Sequence, residues 1–469
     1  MRFVRLHIIF LLLLFIIPGC GVIVRALSGA EKSVSGALSS RYGRSGEITE
    51  VELGWAKTAW TYFNNNYNPS TGLINSSENY PNSTLKTMSD NLIAISAAYE
   101  LKIITKHEFD LRLSAQISFL NKMQLLKNKL PNKYYNTKDG KIVNSANEYK
   151  ETGTSGSDIG RLLIVLKIIR QNYPNYSEYI DKSVLRWNFC NLIDNNGFIF
   201  SSYKTKDSLI YIREGNLGEK EYFARGYQAW GFDTDSSSVF EPFDKIKINN
   251  IILYFDGKDE RKTNSINALT SMPYLFDGIE FNWHPVGNKN DPDYIFIDER
   301  YAKQAENVYK VQESRYIKDK IFTAKTNHKV LGEPYFVYDA IFANGYPWNT
   351  ISDANKFYPQ KALVSVQAVF GMWVLFRTDY TNKLIELMNT CFNPYKGWYE
   401  GREEQTGNIE KTLTSSTNAF VLECLWFKKS GMIYNNSNND DTFYNEYLSN
   451  MFNNMNKCFP KKRKFGNKH

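Results

Sequence analysis

Cysteine and histidine are scarce in this chain, five of each in 469 residues. Cys190, Cys391, Cys424 and Cys458 share no metal-type spacing and form no close pairs. That excludes a zinc ribbon, an iron–sulfur cluster or a dithiol redox motif, and buried free thiols are the expectation. Two of the five histidines, His7 and His469, lie outside the expected fold. No Walker loop, G-x-S-x-G elbow, H-E-x-x-H or C-x-x-C occurs, so nucleotide, serine-nucleophile and zinc-peptidase chemistry have no foothold. The glycine-rich run Gly153-Thr-Ser-Gly-Ser-Asp-Ile-Gly160 lacks the Lys-Ser/Thr of a phosphate loop and reads as a helix start capped near Ser157 and Asp158. Asp233-Thr-Asp235 resembles the metal motif of sugar-nucleotide transferases, but it follows an expected helix rather than a strand and is read as coincidence. Neither a cofactor nor a metal is expected.

Net charge is also missing from the body of the chain. The formal charge is +8, and Arg2, Arg5, Lys457, Lys461, Lys462, Arg463, Lys464 and Lys468 account for all of it. A neutral body with basic ends offers no phosphate-binding groove, so no nucleic-acid partner is expected; residues 457–469 read as a disordered tail.

Long apolar runs are absent apart from Ile8 to Ile17. That run follows Arg2 and Arg5, is about ten residues long and precedes Pro18-Gly19-Cys20, the order of a secretory signal. A transmembrane helix needs about 20 residues. Ile17 and Gly19 before Cys20 resemble a lipobox, so Cys20 is the expected lipidation site of an exported protein anchored in a cell-envelope membrane. Residues 21–48, rich in Ser, Gly and Ala, read as a flexible tether, and 49–456 as the folded domain.

Within that domain helical periodicity dominates. Val51, Trp55, Ala59, Trp60 and Phe63 recur at helical spacing, as do Met88, Leu92, Ile95, Ala98 and Leu101. Thr105-Lys-His-Glu108 reads as a capping box. Further amphipathic segments begin near Ser157, Tyr176, Lys220, Asp298, Lys361, Thr381, Thr412 and Thr442, giving eleven or twelve helices. Strand-like alternation is confined to short pieces such as 246–255 and 335–341. Three linkers, Asn68 to Ile74, Asp194 to Ile199 and Asn393 to Tyr399, each place a turn former and a glycine before apolar or aromatic residues. Turns with short ribbons between long helices suit a mainly α fold of the (α/α)6 toroid type.

Aromatics make up 15% of the chain, and several of its nine Trp stand beside carboxylates and glycines. Asp277-Gly-Ile-Glu280-Phe-Asn-Trp283 is one cluster. Tyr338-Asp339 with Trp348-Asn349 is a second, and Trp398-Tyr399-Glu400 a third. Arg225, Gln228 and Trp230 form the fourth. Sugars present C–H faces to aromatic planes and hydroxyls to Asn, Gln, Asp and Arg, and glycosidic cleavage needs two carboxyl groups. Glu400 is read as the acid, Glu280 as its partner and Asp339 as a third candidate. Trp283, Trp348 and Trp398 are read as stacking platforms, with Tyr338, Tyr399, Asp277, Asp90, Arg225, Gln228, Trp230 and Asn349 as further sugar contacts.

The stretches NYNPSTGLINS, LPNKYYNTKDG, SDIGRLLIVLKIIRQNYP, ARGYQAWGFD, VYKVQESRY, EPYFVYDAIFANGYPWNTIS and GWYEG resemble an uncharacterised family of bacterial lipoproteins, a domain of unknown function. That family is similar to the glucoamylase-like toroids of β-1,2-glucanases and cyclic-glucan synthases. The resemblance implies a toroid and a glycan-related role. Where the family has a Trp before an Asp in its second helix, this chain has Lys86-Thr-Met-Ser-Asp90. Three readings follow. The first is a glycoside hydrolase or transglycosylase on a glucan or exopolysaccharide. The second is a non-catalytic polysaccharide-binding lipoprotein assisting glycan export or assembly, and the third a scaffold whose Trp residues only pack.

Overall fold

The computed structural model describes residues 43–206, 208–257, 266–287 and 294–434. The expected signal, most of the tether, the basic tail and the helix near Thr442 lie outside the described residues. Twelve α-helices are found among them: α1 (Glu50–Asn66), α2 (Leu85–Glu100), α3 (Lys106–Lys122), α4 (Gly156–Asn172), α5 (Ser177–Leu185), α6 (Glu219–Gln228), α7 (Asp235–Ser238), α8 (Met272–Phe281), α9 (Glu299–Asp319), α10 (Val366–Leu375), α11 (Asp379–Leu387) and α12 (Ser415–Ser430). None is long and apolar enough to cross a membrane.

Local chemistry sets most helix starts. At α1 the Thr49 hydroxyl accepts from the Glu52 N–H, and the Glu52 carboxylate accepts from the Thr49 N–H, a reciprocal capping box. At α3 only half of the expected box forms. Thr105 accepts from Glu108 N–H, but the Glu108 carboxylate pairs with Arg112 one turn on, at 2.9 Å. α4 begins at Gly156, one residue before the expected Ser157, with Ser155 as its N-cap. The glycine linkers form as expected. Gly72, φ 74°, closes a turn between strand pairs Tyr67–Asn68 and Leu73–Ile74; a Cβ there would sit 2.7 Å from the Ala115 carbonyl carbon.

Two classes of helix alternate along the chain. α3 buries Phe109, Leu113, Gln116, Ile117 and Leu120, a single stripe at i, i+4, i+7, i+8 and i+11. By contrast, every residue of α8 and α10 is buried, which requires protein on all sides of them. The even-numbered helices pack on one another in a cycle: α2 on α4, α4 on α6, α6 on α8, α8 on α10, α10 on α12 and α12 on α2. The odd-numbered ones lie against them, α1 on α12 and α2, α3 on α2, α5 on α4, α7 on α6, α9 on α8 and α11 on α10. At the α4–α6 crossing a Cβ on Gly226 would lie 2.0 Å from the Gly160 carbonyl oxygen, so the backbones touch only because both residues are glycine.

The strands are short antiparallel ribbons in the linkers. They include the hairpins Phe200–Lys204/Leu209–Arg213 and Phe243–Ile248/Ile251–Asp256, and the four-stranded piece that holds Gly397–Glu403. Cys391 and Cys424 are buried free thiols, as expected, whereas Cys190 is disulfide-bonded.

Candidate active site

The even helices start at one common end. Asp90, in the second turn of α2, accepts from Ser415 and Ser416 at the start of α12, at 3.0 and 2.8 Å. The first turns of α4 and α6 are joined through Ser157 and the loop before α6. Ser365, ahead of α10, hydrogen-bonds the segment that leads from α9. The linkers converge on this end, and three carboxylates they present there remain partly open to solvent: Asp158, Glu214 and Glu219.

Asp158 is the third residue of α4, where its N–H donates to the Ser155 hydroxyl at 3.2 Å. Burial pushes its carboxyl up, opposed by the Lys86 ammonium, a hydrogen bond from the Lys86 main chain and the Lys133 charge. Glu214 accepts from the Ser157 hydroxyl at 2.6 Å; burial raises it too, and neighbouring Asp158 adds to the effect. Glu219 opens α6, where Asn216 N–H donates to it at 3.4 Å. Burial, together with the negative charges of Glu214, Asp256 and Glu221, pushes it up to about 7. A carboxyl that is half protonated near neutrality suits proton donation.

Aromatic rings stand around these groups. Tyr203, on the hairpin before α6, is 47% exposed, and the Lys133 ammonium sits 3.4 Å from its ring centre. Tyr134 and Tyr338 are half-buried, and both hydroxyls are raised first by burial. Asp158 adds to the shift at Tyr134, and Glu219, Asp353 and Glu214 add to it at Tyr338. Tyr338, expected as a sugar contact, therefore stands by these carboxylates. Lys329 donates to the Ser77 hydroxyl at 2.8 Å and lies near Lys86 and Asp90 at the same end.

The other expected residues are placed differently. Glu280 is fully buried, ion-paired with Arg161 and accepting from the Tyr222 hydroxyl at 2.8 Å. Asp339 is fully buried between Lys325 (3.0 Å) and the Thr350 hydroxyl (2.7 Å). Glu400 is 3% exposed and accepts from the Thr414 and Thr417 hydroxyls; burial pushes it up. Trp398 and Glu400 share the inward face of strand Gly397–Glu403, so both point into the core, and the Trp398 indole donates to Trp55 O at 3.0 Å. Tyr399, on the opposite face, is half-buried.

Asp277 pairs with Arg225 at 2.7 Å; both are buried, and Asp277 is pushed up to about 7 by that burial. Gln228 donates to Asp235 and Ser238, and the Trp230 indole to Leu163 O, each at 2.9 Å. Asn349 donates to Ala343 O at 3.0 Å. Trp283 packs on Phe376 with its indole donating to Tyr274 O, and Trp348 carries the Arg315 guanidinium 4.5 Å above its ring. Asp90 is 2% exposed beneath Lys86.

The sequence reading missed Asp158, Glu214, Glu219, Tyr134 and Tyr203. One signal was present: in Arg213-Glu-Gly-Asn-Leu-Gly-Glu219 two positive-φ glycines, Gly215 and Gly218, separate the glutamates.

Solved structures share this fold at low sequence identity. A Bacteroides caccae protein provisionally assigned as a glucoamylase aligns with TM-score 0.58 and 12% identity, covering 82% of this chain and 95% of its own. The endo-β-1,2-glucanase of Chitinophaga pinensis, solved with sophorotriose and glucose, gives 0.57 and 12% over 83% and 94%. A glutamate-to-glutamine mutant of the Talaromyces funiculosus endo-β-1,2-glucanase, in complex with β-1,2-glucan, gives 0.52 and 12% over 86% and 89%. No curated protein matches. The model of the family described as protein of unknown function (DUF3131) matches residues 54–431, and the chain belongs to that family.

Proposed function

We propose that this DUF3131 protein is a glycoside hydrolase, or a glycosyl-transferring relative, built on an (α/α)6 toroid. The closed cycle of even helices, each backed by an odd one, supports the toroid. The observation that carries the activity is the meeting of Asp158, Glu214 and Glu219 at one end of that cycle, partly open and ringed by Tyr134, Tyr203 and Tyr338.

Glu219, pushed up to about 7, is the general acid that protonates the leaving oxygen. Asp158 is its partner. It sits at a helix N-terminus, where the macrodipole favours negative charge, and takes a main-chain hydrogen bond besides. It either activates water or attacks the anomeric carbon. Glu214 raises Glu219 by its charge. A β-linked glucan is the proposed substrate, because two neighbours of this fold were solved with sophorotriose or β-1,2-glucan. Export and lipid attachment through Cys20 complete the reading.

The test is release of reducing ends from β-1,2-glucan and its oligosaccharides by the wild-type chain, Glu219→Gln and Asp158→Asn. Loss of about 10²–10⁴-fold with an unchanged circular dichroism spectrum is expected for Glu219→Gln. Full turnover in that variant removes Glu219 from the mechanism. Glucan binding without release, in the wild type, replaces this reading with the binding-only one.

A further inference from the structure

We propose that the end of the ring opposite the cleft is the surface this protein lays against an anionic membrane, so that the cleft opens away from the bilayer. The inference rests on the reading of Cys20 as a lipid site and adds an orientation to it.

The point at which the chain enters the fold is fixed by hydrogen bonds. Arg44 N–H donates to Val374 O at 2.8 Å, and its guanidinium donates to Trp373 O and Phe376 O, so one residue covers the bare carbonyls at the C-terminal end of α10. Gly46 N–H donates to Lys428 O at 2.9 Å, in the last turn of α12, and Lys428 Nζ returns a bond to Glu47 O. The exit lies at the same end. Ile433 and Tyr434 donate to Ile279 O and Glu280 O at the close of α8, and the Tyr434 ring packs on Phe281 with centres 5.0 Å apart.

The cleft carboxylates, in contrast, sit at the N-terminal ends of α4 and α6. The inner helices are ten to seventeen residues long, so about 15–25 Å of helix separates the two ends.

Both membrane-directed parts of the sequence therefore join the ring at the end away from the cleft. Residues 21–42 connect Cys20 to it and can span at most about 75 Å when fully extended. Residues 435–469 leave from it carrying Lys457, Lys461, Lys462, Arg463, Lys464 and Lys468, with no acidic residue after Glu446. The face itself mixes exposed Lys102 and Arg377 with Glu50 and Asp379, so the attraction to anionic headgroups comes from the basic segment. A lipid chain plus a polybasic segment is the pair of signals that stable anchoring takes. A cleft facing outward meets a polymer arriving from beyond the membrane surface rather than a glycan still held on a lipid.

The experiment uses the full chain expressed in a bacterium, its lipid followed by palmitate incorporation, and reconstituted in vesicles containing phosphatidylglycerol and a headgroup acceptor dye. A donor dye replaces Ser430, at the end of α12, or in a second protein Lys206, at the tip of the hairpin beside the cleft. The expected result is strong energy transfer from position 430 and weak transfer from 206. Replacing Lys461, Lys462, Arg463 and Lys464 by Gln, or phosphatidylglycerol by phosphatidylcholine, is expected to shrink that difference. Equal transfer, or stronger transfer from 206, in chains that have taken up palmitate overturns the orientation while leaving the lipid reading intact. Absence of palmitate overturns the Cys20 reading, and the donor ordering on anionic vesicles then still decides whether the tail presents this end.

Discussion

Arg161 is the side chain whose removal tells most about how the ring is held. It projects from α4 into the centre and reaches three other inner helices: Glu280 of α8, Glu423 of α12 at 3.0 Å and the Tyr222 hydroxyl of α6 at 2.7 Å. All four are fully or nearly fully buried. Arg161→Met keeps the volume and the contact with Phe276, whose ring centre lies 4.2 Å from the guanidinium carbon, but strands two buried carboxylates. Breaking a buried pair by removing one partner costs about 3–5 kcal/mol. A domain of this size loses about 0.8 kcal/mol of stability per degree near Tm, so a fall of about 5 °C is expected.

The pH dependence gives a second, sharper readout. Burial already raises Glu423, with Arg161 opposing it; without the arginine it rises further above the unfolded value of about 4.3. A carboxyl whose folded pKa is raised binds protons more readily in the native state, so stability falls as pH increases. The deficit of Arg161→Met should therefore be largest at pH 7–8 and shrink toward pH 5. Adding Glu280→Gln and Glu423→Gln should restore part of it. Calorimetry and urea titration across this range are the assays. A variant melting within about 1 °C of wild type at every pH would refute the claim that Arg161 neutralises these carboxylates.

If Glu219 is the acid, kcat/KM on glucan should fall on the alkaline side with an apparent pKa near 7, as the proton it must donate is lost; a rate constant up to pH 9 would sink the assignment. Tyr338→Ala and Tyr203→Ala should raise KM for longer oligosaccharides with little change in Tm, because both rings are partly open; unchanged KM in both would remove them as platforms. Gly226→Ala should destabilise by about 1–3 kcal/mol or more through its clash with Gly160 O, read as a lower urea midpoint; a neutral substitution would show that α4 and α6 can separate.

Most helices, though not α7 or α8, were legible because their starts are encoded locally. Thr49, Thr84, Thr105, Ser155, Thr378 and Thr414 each cap a helix with a side-chain oxygen. Burial of the expected site residues was not legible, and the reason is packing. Asp277, Glu280 and Trp283 were singled out by adjacency, but a helix buried on every side forces its carboxylates onto arginine partners, and those partners lie about 50 to 120 residues earlier in the chain. Trp398 beside Glu400 misled for a related reason: alternate residues of a strand share a face, and that face is core. Asp158, conversely, was noticed only as a cap residue. Its other surroundings, Lys86, Lys133 and Glu214, come from the first turn of α2 and two separate linkers, and no window of sequence holds them together.

The alternation of helices also bears on what can enter the cleft. Six helices starting at one end would direct six partial positive charges at it, about half a charge each, and would make an anion trap. Their odd-numbered companions run the other way: the start of α1, at Thr49 and Glu52, lies by the end of α12 through Lys428, and Gln312, in the second half of α9, accepts from the N–H of Lys325, whose carbonyl accepts from Ser271 at the start of α8. Neighbouring dipoles of opposite sense largely cancel, so the helix ends themselves add little long-range pull at this end. For the proposed substrate, an uncharged glucan, the helix ends would then contribute little to association, and contact with the tyrosine faces and hydrogen bonds would have to hold it.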